Sequence, residues 1–261
     1  MNLSLKDKNA LISGSTQGIG LAIAKELALL GANCILLARN ETSLQQAISL
    51  LDTSQGQQHE YAIADFSDNK QVKAAIDKIV AAKTINILIN NTGGPAPGLI
   101  TEATTENFTS AFQQHIVNYQ LLVQAALPKM KESGYGRIIN IVSTSVKIPI
   151  ANLGVSNTIR AATAGWAKTV SLEVAKFGVT VNNILPGYTK TQRLDSMLAN
   201  NAAKQNIQRE ELAIKMKAQI PAQRFGEVEE IAAVAAFLAS PAASYVNGTS
   251  IAVDGGSTGA F

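Results

Sequence analysis

SGSTQGIGLAIAKELA, Ser13 to Ala28, follows the apolar run NALIS and passes directly into a helical pattern. Gly14, Gly18 and Gly20 bracket the turn between them. Glycine lets a backbone approach a pyrophosphate closely, and a helix N-terminus supplies free N–H groups and a favourable dipole. A glycine triplet alone says little. Placed after a strand, before a helix, and at the head of alternating units, it points to a dinucleotide site in an α/β sheet.

The rest of the chain supplies those units. NALIS, NCILLA, YAIA, INILIN, GRIINIV, VTVNNIL and TSIAVD read as short apolar strands, with helices predicted to start near Gly18, Glu41, Asp68, Thr105, Ser156 and Glu227. Near-continuous apolar strands alternating with helices imply a parallel sheet covered on both faces, a doubly wound α/β fold. No Pro- or Ser-rich linker divides residues 1–261, so one domain is expected. The rhythm breaks at Thr191 to Ile220, TQRLDSMLANNAAKQNIQREELAIKMKAQI, which exceeds an ordinary connection and carries helix-forming residues. It reads as a helical excursion over one end of the sheet, either surface decoration or a substrate lid.

Composition narrows the class. Of 261 residues 46% are hydrophobic and 16% charged, enough apolar material for a large core. The net charge is +3 with a pI near 8.9, but Lys and Arg are scattered without a basic run, so no nucleic-acid partner is expected. The single cysteine, Cys34, lies in the apolar run CILLA and reads as buried rather than reactive. No window approaches the roughly 20 apolar residues that span a bilayer, and no basic stretch precedes an apolar one at the start. The expectation is a cytoplasmic protein with no membrane partner and no metal.

The GxxxGxG spacing of Gly14, Gly18 and Gly20 resembles that of the short-chain dehydrogenase/reductase family, and further landmarks follow in order. Asn90, Asn91, Thr92 and Gly93 match its NNxG segment, Ser143 its serine after the fifth strand, Pro186 and Gly187 its PG turn, and TSIAVDGG its final strand. The chain is thus similar to 3-oxoacyl-ACP reductase-like members over nearly its whole length. The resemblance implies a seven-stranded Rossmann sheet, a nicotinamide dinucleotide and a homotetramer. It also implies a cofactor site made by Gly14, Ser15, Gln17, Gly18, Ile19, Gly20, Asp65, Phe66, Asn90, Gly93, Arg160, Pro186, Gly187 and Thr191. Within it Asp65 would meet the adenine, Asn90 the adenosine ribose region and Thr191 the carboxamide or phosphates. Each could also be a capping or turn residue.

Which nicotinamide cofactor follows from LLARN at the end of the second strand. A carboxylate there would accept from a ribose 2′-OH and repel a 2′-phosphate, whereas a guanidinium pairs with that phosphate. The acid is absent and Arg39 is present, which points to NADP(H); a plain surface arginine is the alternative.

The catalytic centre departs from the family's pattern. Ser143 fits the serine that polarises a substrate oxygen. Counting onward places Ser156 at the family's tyrosine and Arg160 at its lysine, one helical turn apart on one face. His115 falls at the family's asparagine, with Asn118 three residues away. A serine hydroxyl is far too weak an acid to be tuned as a phenol is, and arginine stays charged, so Ser156 and Arg160 can donate hydrogen bonds but not relay protons. His115 is the group whose ordinary pKa suits proton transfer near neutrality, although a histidine on an apolar helix is also a packing residue. Lys147 and Tyr188 are further residues that could reach the pocket. Two readings stay open: an NADP(H)-dependent oxidoreductase for a carbonyl or alcohol with Ser143, Ser156, Arg160 and His115 at its centre, and a catalytically silent NADP-binding sensor or partner subunit.

Overall fold

Side chains alternate across each strand, and in this chain both faces of the alternation are apolar. A computed structural model describes residues 1–259. Its strands are β1 Asn9–Ser13, β2 Asn33–Ala38, β3 Glu60–Ile63, β4 Ile87–Asn90, β5 Gly136–Ile141, β6 Val179–Pro186 and β7 Ser250–Val253. They form one seven-stranded sheet in the order β3-β2-β1-β4-β5-β6-β7, every pairing parallel. The helices are α1 Gly18–Leu29, α2 Glu41–Ile48, α3 Asn69–Ala82, α4 Thr105–Phe112, α5 Asn118–Ser133, α6 Gly154–Val174, α7 Gln192–Gln205, α8 Arg209–Ala218 and α9 Val228–Ala239.

Ile12, Leu36, Ile89, Ile139 and Ile184 point to the face where α1 packs on α9. Their neighbours Leu11, Leu37, Leu88, Ile138 and Val181 point to the face that α3, α5 and α6 cover. Burying each such side chain contributes about 1.5–3 kcal/mol, so the two layers together fix the strand order firmly. Side-chain caps start three of the helices at the predicted places: Asn40 accepts from the Ser43 amide, Asp68 from those of Lys70 and Gln71, and Thr104 from that of Asn107.

The order reverses direction at β1, with β2 and β3 on one side and β4 onward on the other. Ligands of such sheets sit in the crevice outside the C-terminal strand ends at this point. One polar row crosses the sheet close to it. Asn90 donates to Asn140, Asn140 to Asn183 and Asn183 to Ser250, at 2.8, 2.9 and 3.0 Å, across strands whose registers place these residues side by side.

Two predicted elements differ in detail. The helix expected from Thr105 is divided by a π-helical turn, Gln113–Val117, between α4 and α5. The one expected near Ser156 begins at Gly154, where the chain is pressed so closely on Ile100 that an added Cβ would lie 2.5 Å from the Ile100 Cβ. Residues 191–220 hold α7 and α8, which share their own apolar cluster of Leu194, Leu198, Ala202, Leu212, Ile220 and Phe225.

Candidate functional site

A cleft of about 1080 Å³ runs along the C-terminal strand ends, from Arg39 and Asp65 at one end to Ser143, Ser156 and Arg160 at the other. That is the upper end of the range of about 300–1,000 Å³ seen for small-molecule pockets, and it leaves room for more than one ligand.

The first end is built from backbone. Gly14 and Gly18 take φ of +59° and +56°, which side-chain-bearing residues rarely adopt. A Cβ on Gly14 would also lie 2.6 Å from the Asn91 carbonyl oxygen, and one on Gly20 would lie 2.2 Å from the Gly14 carbonyl oxygen. The turn therefore locks onto itself and onto the end of β4, where Asn91 donates to the carbonyls of Ser13 and Gly14. Gln17 precedes α1 in extended conformation and makes no side-chain cap, and no acid occupies the first turn of the helix. Free amides with no competing carboxylate suit a pyrophosphate. Arg39 stands at the exit of β2, exposed, and enters no ion pair among the described residues. Asp65 accepts from the Ser67 amide and hydroxyl at 2.8 Å each. Those bonds, helped by the charge of Arg39, hold its carboxyl below the usual range.

The far end is built from side chains. Ser143 begins a short 3-10 turn and its oxygen accepts from the Ser145 amide at 3.1 Å. Ser156 lies in the first turn of α6, largely buried but lining the cleft. One turn later Arg160 donates from Nη1 to the Ile141 carbonyl at 2.9 Å, which ties the guanidinium to the end of β5. Burial, and then the charge of Arg193, holds the Arg160 pKa below its ordinary value. Thr191 caps α7 by accepting from the Leu194 amide, and Pro186, Gly187 and Tyr188 complete this wall. Tyr188 packs edge-on against Phe225, and burial raises its phenol pKa.

Most expected site residues line this one cleft: Gly14, Gln17, Gly18, Ile19, Arg39, Asp65, Phe66, Gly93, Ser143, Ser156, Arg160, Pro186, Gly187 and Thr191. Four do not. Ser15 is fully buried with its hydroxyl unpartnered, and Gly20 serves the packing of the turn. Asn90 belongs to the polar row inside the sheet, fully buried, where its amide donates to Asn140 and its oxygen has no partner. His115 is sealed in the π-helical turn, edge-on to Tyr119 at 6.0 Å, with neither ring nitrogen hydrogen-bonded. Burial, then the charges of Arg160 and Arg193, push its pKa down to about 3 while the Gly93 backbone pulls the other way. A buried ring that is neutral at pH 7 and does not line the cleft is a poor proton donor to it. Asn118 bonds Asn69 and the Phe66 carbonyl, and Lys147 does not line the cleft.

Thr16, Gly94, Gln114 and Arg193 line the cleft without having been expected. Thr16 and Gly94 adjoin motifs already recognised, so adjacency was their available signal. Arg193 carried none, because only the folding of α7 brings it near residues so distant in sequence. Cys34 is buried as expected, its thiol pushed up to about 12. Among the described residues no cluster of metal-binding side chains occurs, and no helix is long and apolar enough to cross a membrane.

Residues 14–258 match the family described as enoyl-(acyl carrier protein) reductase. The NADPH-dependent reductase BacG of Bacillus subtilis is 32% identical over 255 residues, covering 97% of this chain and 98% of that protein. D-beta-hydroxybutyrate dehydrogenase of Rhizobium meliloti is 33% identical, covering 96% and 98%. Among solved structures, L-sorbose reductase of Gluconobacter frateurii, complexed with NADPH and L-sorbose, superposes with a TM-score of 0.94 at 28% identity, all of both chains being covered. With its glycine turn, its serine after the fifth strand and its seven parallel strands in this order, the chain belongs to the short-chain dehydrogenase/reductase family.

Proposed function

We propose that the chain is an NADP(H)-dependent oxidoreductase that interconverts a small carbonyl compound and its alcohol. The observation that carries this is the single cleft joining a phosphate-binding turn and Arg39 to Ser143, Ser156 and Arg160. Arg39 pairs with a ribose 2′-phosphate where an acid would repel it. The relatives named as NADPH-dependent, or solved with NADPH, support the same choice. Bound along the cleft, NADPH supplies a hydride.

The chain's own residues do the rest. Ser143 and Ser156 donate hydrogen bonds to the substrate oxygen, and Arg160 stabilises the negative charge that grows on it as the carbonyl carbon is reduced. Ser156 and Arg160 stand where the family's tyrosine and lysine are expected, so no activated phenol completes the transfer. Tyr188 lines the cleft, but burial raises its phenol pKa, which makes it a weaker acid than an activated phenol. Water in the open cleft therefore brings the proton. Positioning and oxyanion stabilisation carry the rate, and the lost general acid costs about 10²–10⁴. The segment of α7 and α8 acts as the lid over the reacting end, and the assembly is a homotetramer.

A carbonyl and alcohol panel with NADPH and NADP+ tests this, run on protein first shown by calorimetry to bind cofactor. Slow turnover that Ser143→Ala lowers by about 10² or more is the expected result. Tight NADPH binding with no turnover anywhere on the panel would instead select the second reading, a silent NADP-binding sensor. The lack of a suitable acid in the cleft is the observation that keeps that reading alive.

A further inference from the structure

Arg160 and Arg193 come from different elements, α6 and the first turn of α7, yet meet over one point of backbone. A Cβ added at Gly94 would lie 2.7 and 2.9 Å from Nη1 and Nη2 of Arg193 and 3.2 Å from Nη2 of Arg160. Arg160 is only 7% exposed. Apart from its bond to Ile141 it has no hydrogen-bond partner and no ion pair among the described residues. Arg193 is exposed and makes neither kind of contact there. The carboxylates lining the cleft, Asp65 and Glu229, pair with neither arginine. Two like charges held this close, one of them out of water, repel unless an anion lies between them.

The anion's place in the cleft narrows its identity. Arg160 is fixed to the carbonyl of Ile141, two residues before Ser143, and lies one helical turn after Ser156. The pair therefore adjoins the reacting end; the phosphate turn is the competing anion site, because Thr191, two residues before Arg193, lies against Gly18. Planar guanidinium forks match a planar carboxylate through paired hydrogen bonds. Resting on the reductase reading above, we propose that the substrate carries a carboxylate bound between Arg160 and Arg193, so that the chain interconverts oxo acids and hydroxy acids. In the reductive direction the carbonyl carbon gains a hydride as NADPH is oxidised to NADP+. The carbonyl oxygen gains a proton from water, and the carboxylate is unchanged.

Calorimetric titration with pyruvate, acetoacetate and levulinate, each beside its methyl ester, tests the idea with and without saturating NADP+. At least one acid should bind about tenfold more tightly than its ester, a difference of about 1.4 kcal/mol. Arg193→Gln should abolish that preference and leave NADP+ affinity within about twofold. Gly94→Ala should do the same by pushing aside the end of the Arg193 side chain, its Cβ also lying 3.2 Å from Nη2 of the buried Arg160. Esters binding as well as acids throughout, or no acid binding at all, would overturn the proposal. So would a loss of NADP+ affinity in Arg193→Gln with the acid preference unchanged, which would assign the arginines to the cofactor's phosphates. Acid preference without turnover of any substrate would sink the reductase reading and keep the anion site; turnover confined to neutral ketones and esters would do the reverse.

Discussion

The two ends of the cleft are made of different material. At the phosphate end the ligand-facing groups are main-chain amides, and the turn that presents them is fixed by glycines pressed against neighbouring carbonyls. At the reacting end they are hydroxyls and guanidiniums delivered by the end of β5, the start of α6 and the start of α7. A backbone site tolerates no added atom but leaves its flanking side chains free to vary. A side-chain site can exchange its chemistry residue by residue while its supporting backbone stays in place. On the reading proposed above, that is how one chain keeps a familiar phosphate turn while Ser156 and Arg160 take the places of the family's phenol and ammonium.

The largest effect should come from adding one carbon at the rigid end. Gly20→Ala places a Cβ 2.2 Å from the Gly14 carbonyl oxygen, where backbone has to move, and 2.7 Å from the side-chain Nδ2 of Asn91. Overpacking of this kind costs about 1–3 kcal/mol. Because the turn itself is displaced, NADPH affinity should fall by roughly a hundredfold, equivalent to about 2.7 kcal/mol. Calorimetry and a thermal melt read the two losses. Gly93→Ala is the contrast, since a Cβ there meets nothing within 4 Å and the melting temperature should hold. Equal behaviour of the two variants would break the claim that the turn from Gly14 to Gly20 tolerates no added atom.

The side-chain end should accept a change of chemistry. Ser156→Tyr with Arg160→Lys restores a phenol and a cation one turn apart, and a neighbouring cation lowers a phenol's pKa. On a neutral ketone that the wild type reduces slowly, kcat/KM with NADPH near pH 7 should rise about tenfold or more. The triple variant adding His115→Asn belongs in the same series. Variants that bind NADPH normally and turn over no faster would show that this end is rebuilt for something other than the family's proton transfer.

The sequence was readable to the degree that backbone geometry dictated it. The strands, the turn at Gly14 to Gly20 and the strand-end positions of Ser143, Pro186 and Gly187 all follow from local pattern or fixed spacing. The interior side-chain partnerships do not. Asn90 looked like a ligand contact because its motif adjoins the site, but in the folded sheet its register sets it beside Asn140, to which its amide donates, and its side chain is buried away from the cleft. His115 looked like an acid because its unperturbed pKa suits the task; tertiary burial beside two cations removes that property. Arg193 went unnoticed because the course of α7 is set by its own small cluster with α8, which no local motif announces.

A smaller effect sharpens the electrostatics of the phosphate end. Arg39 is the one charged side chain offered to a 2′-phosphate at the exit of β2, so NADPH should bind about tenfold more tightly than NADH, and Arg39→Ala should erase the difference. Competitive calorimetry with both nucleotides measures it. Equal affinities in the wild type would remove cofactor selection from this residue.

The effect smallest at neutral pH belongs to the reacting end and appears in acid. His115 keeps its proton off down to about pH 3 in the folded chain, chiefly because it is buried and then because Arg160 and Arg193 are near. In the unfolded chain it titrates near its ordinary value of about 6.5. Its neutral form therefore contributes stability in full above about pH 6.5, and this contribution is lost progressively as pH falls toward 3, since the unfolded chain takes up a proton that the folded one refuses. The loss should reach on the order of 2 kcal/mol by pH 5. His115→Asn removes the titrating group, so denaturant melts between pH 7 and 5 should show a shallower decline than wild type, whatever the variant's stability at pH 7. Identical slopes would mean that the ring is protonated in the folded chain after all. It would then sit as a third cation beside Arg160 and Arg193, and the claim that the ring is a poor proton donor to the reacting end would have to be withdrawn.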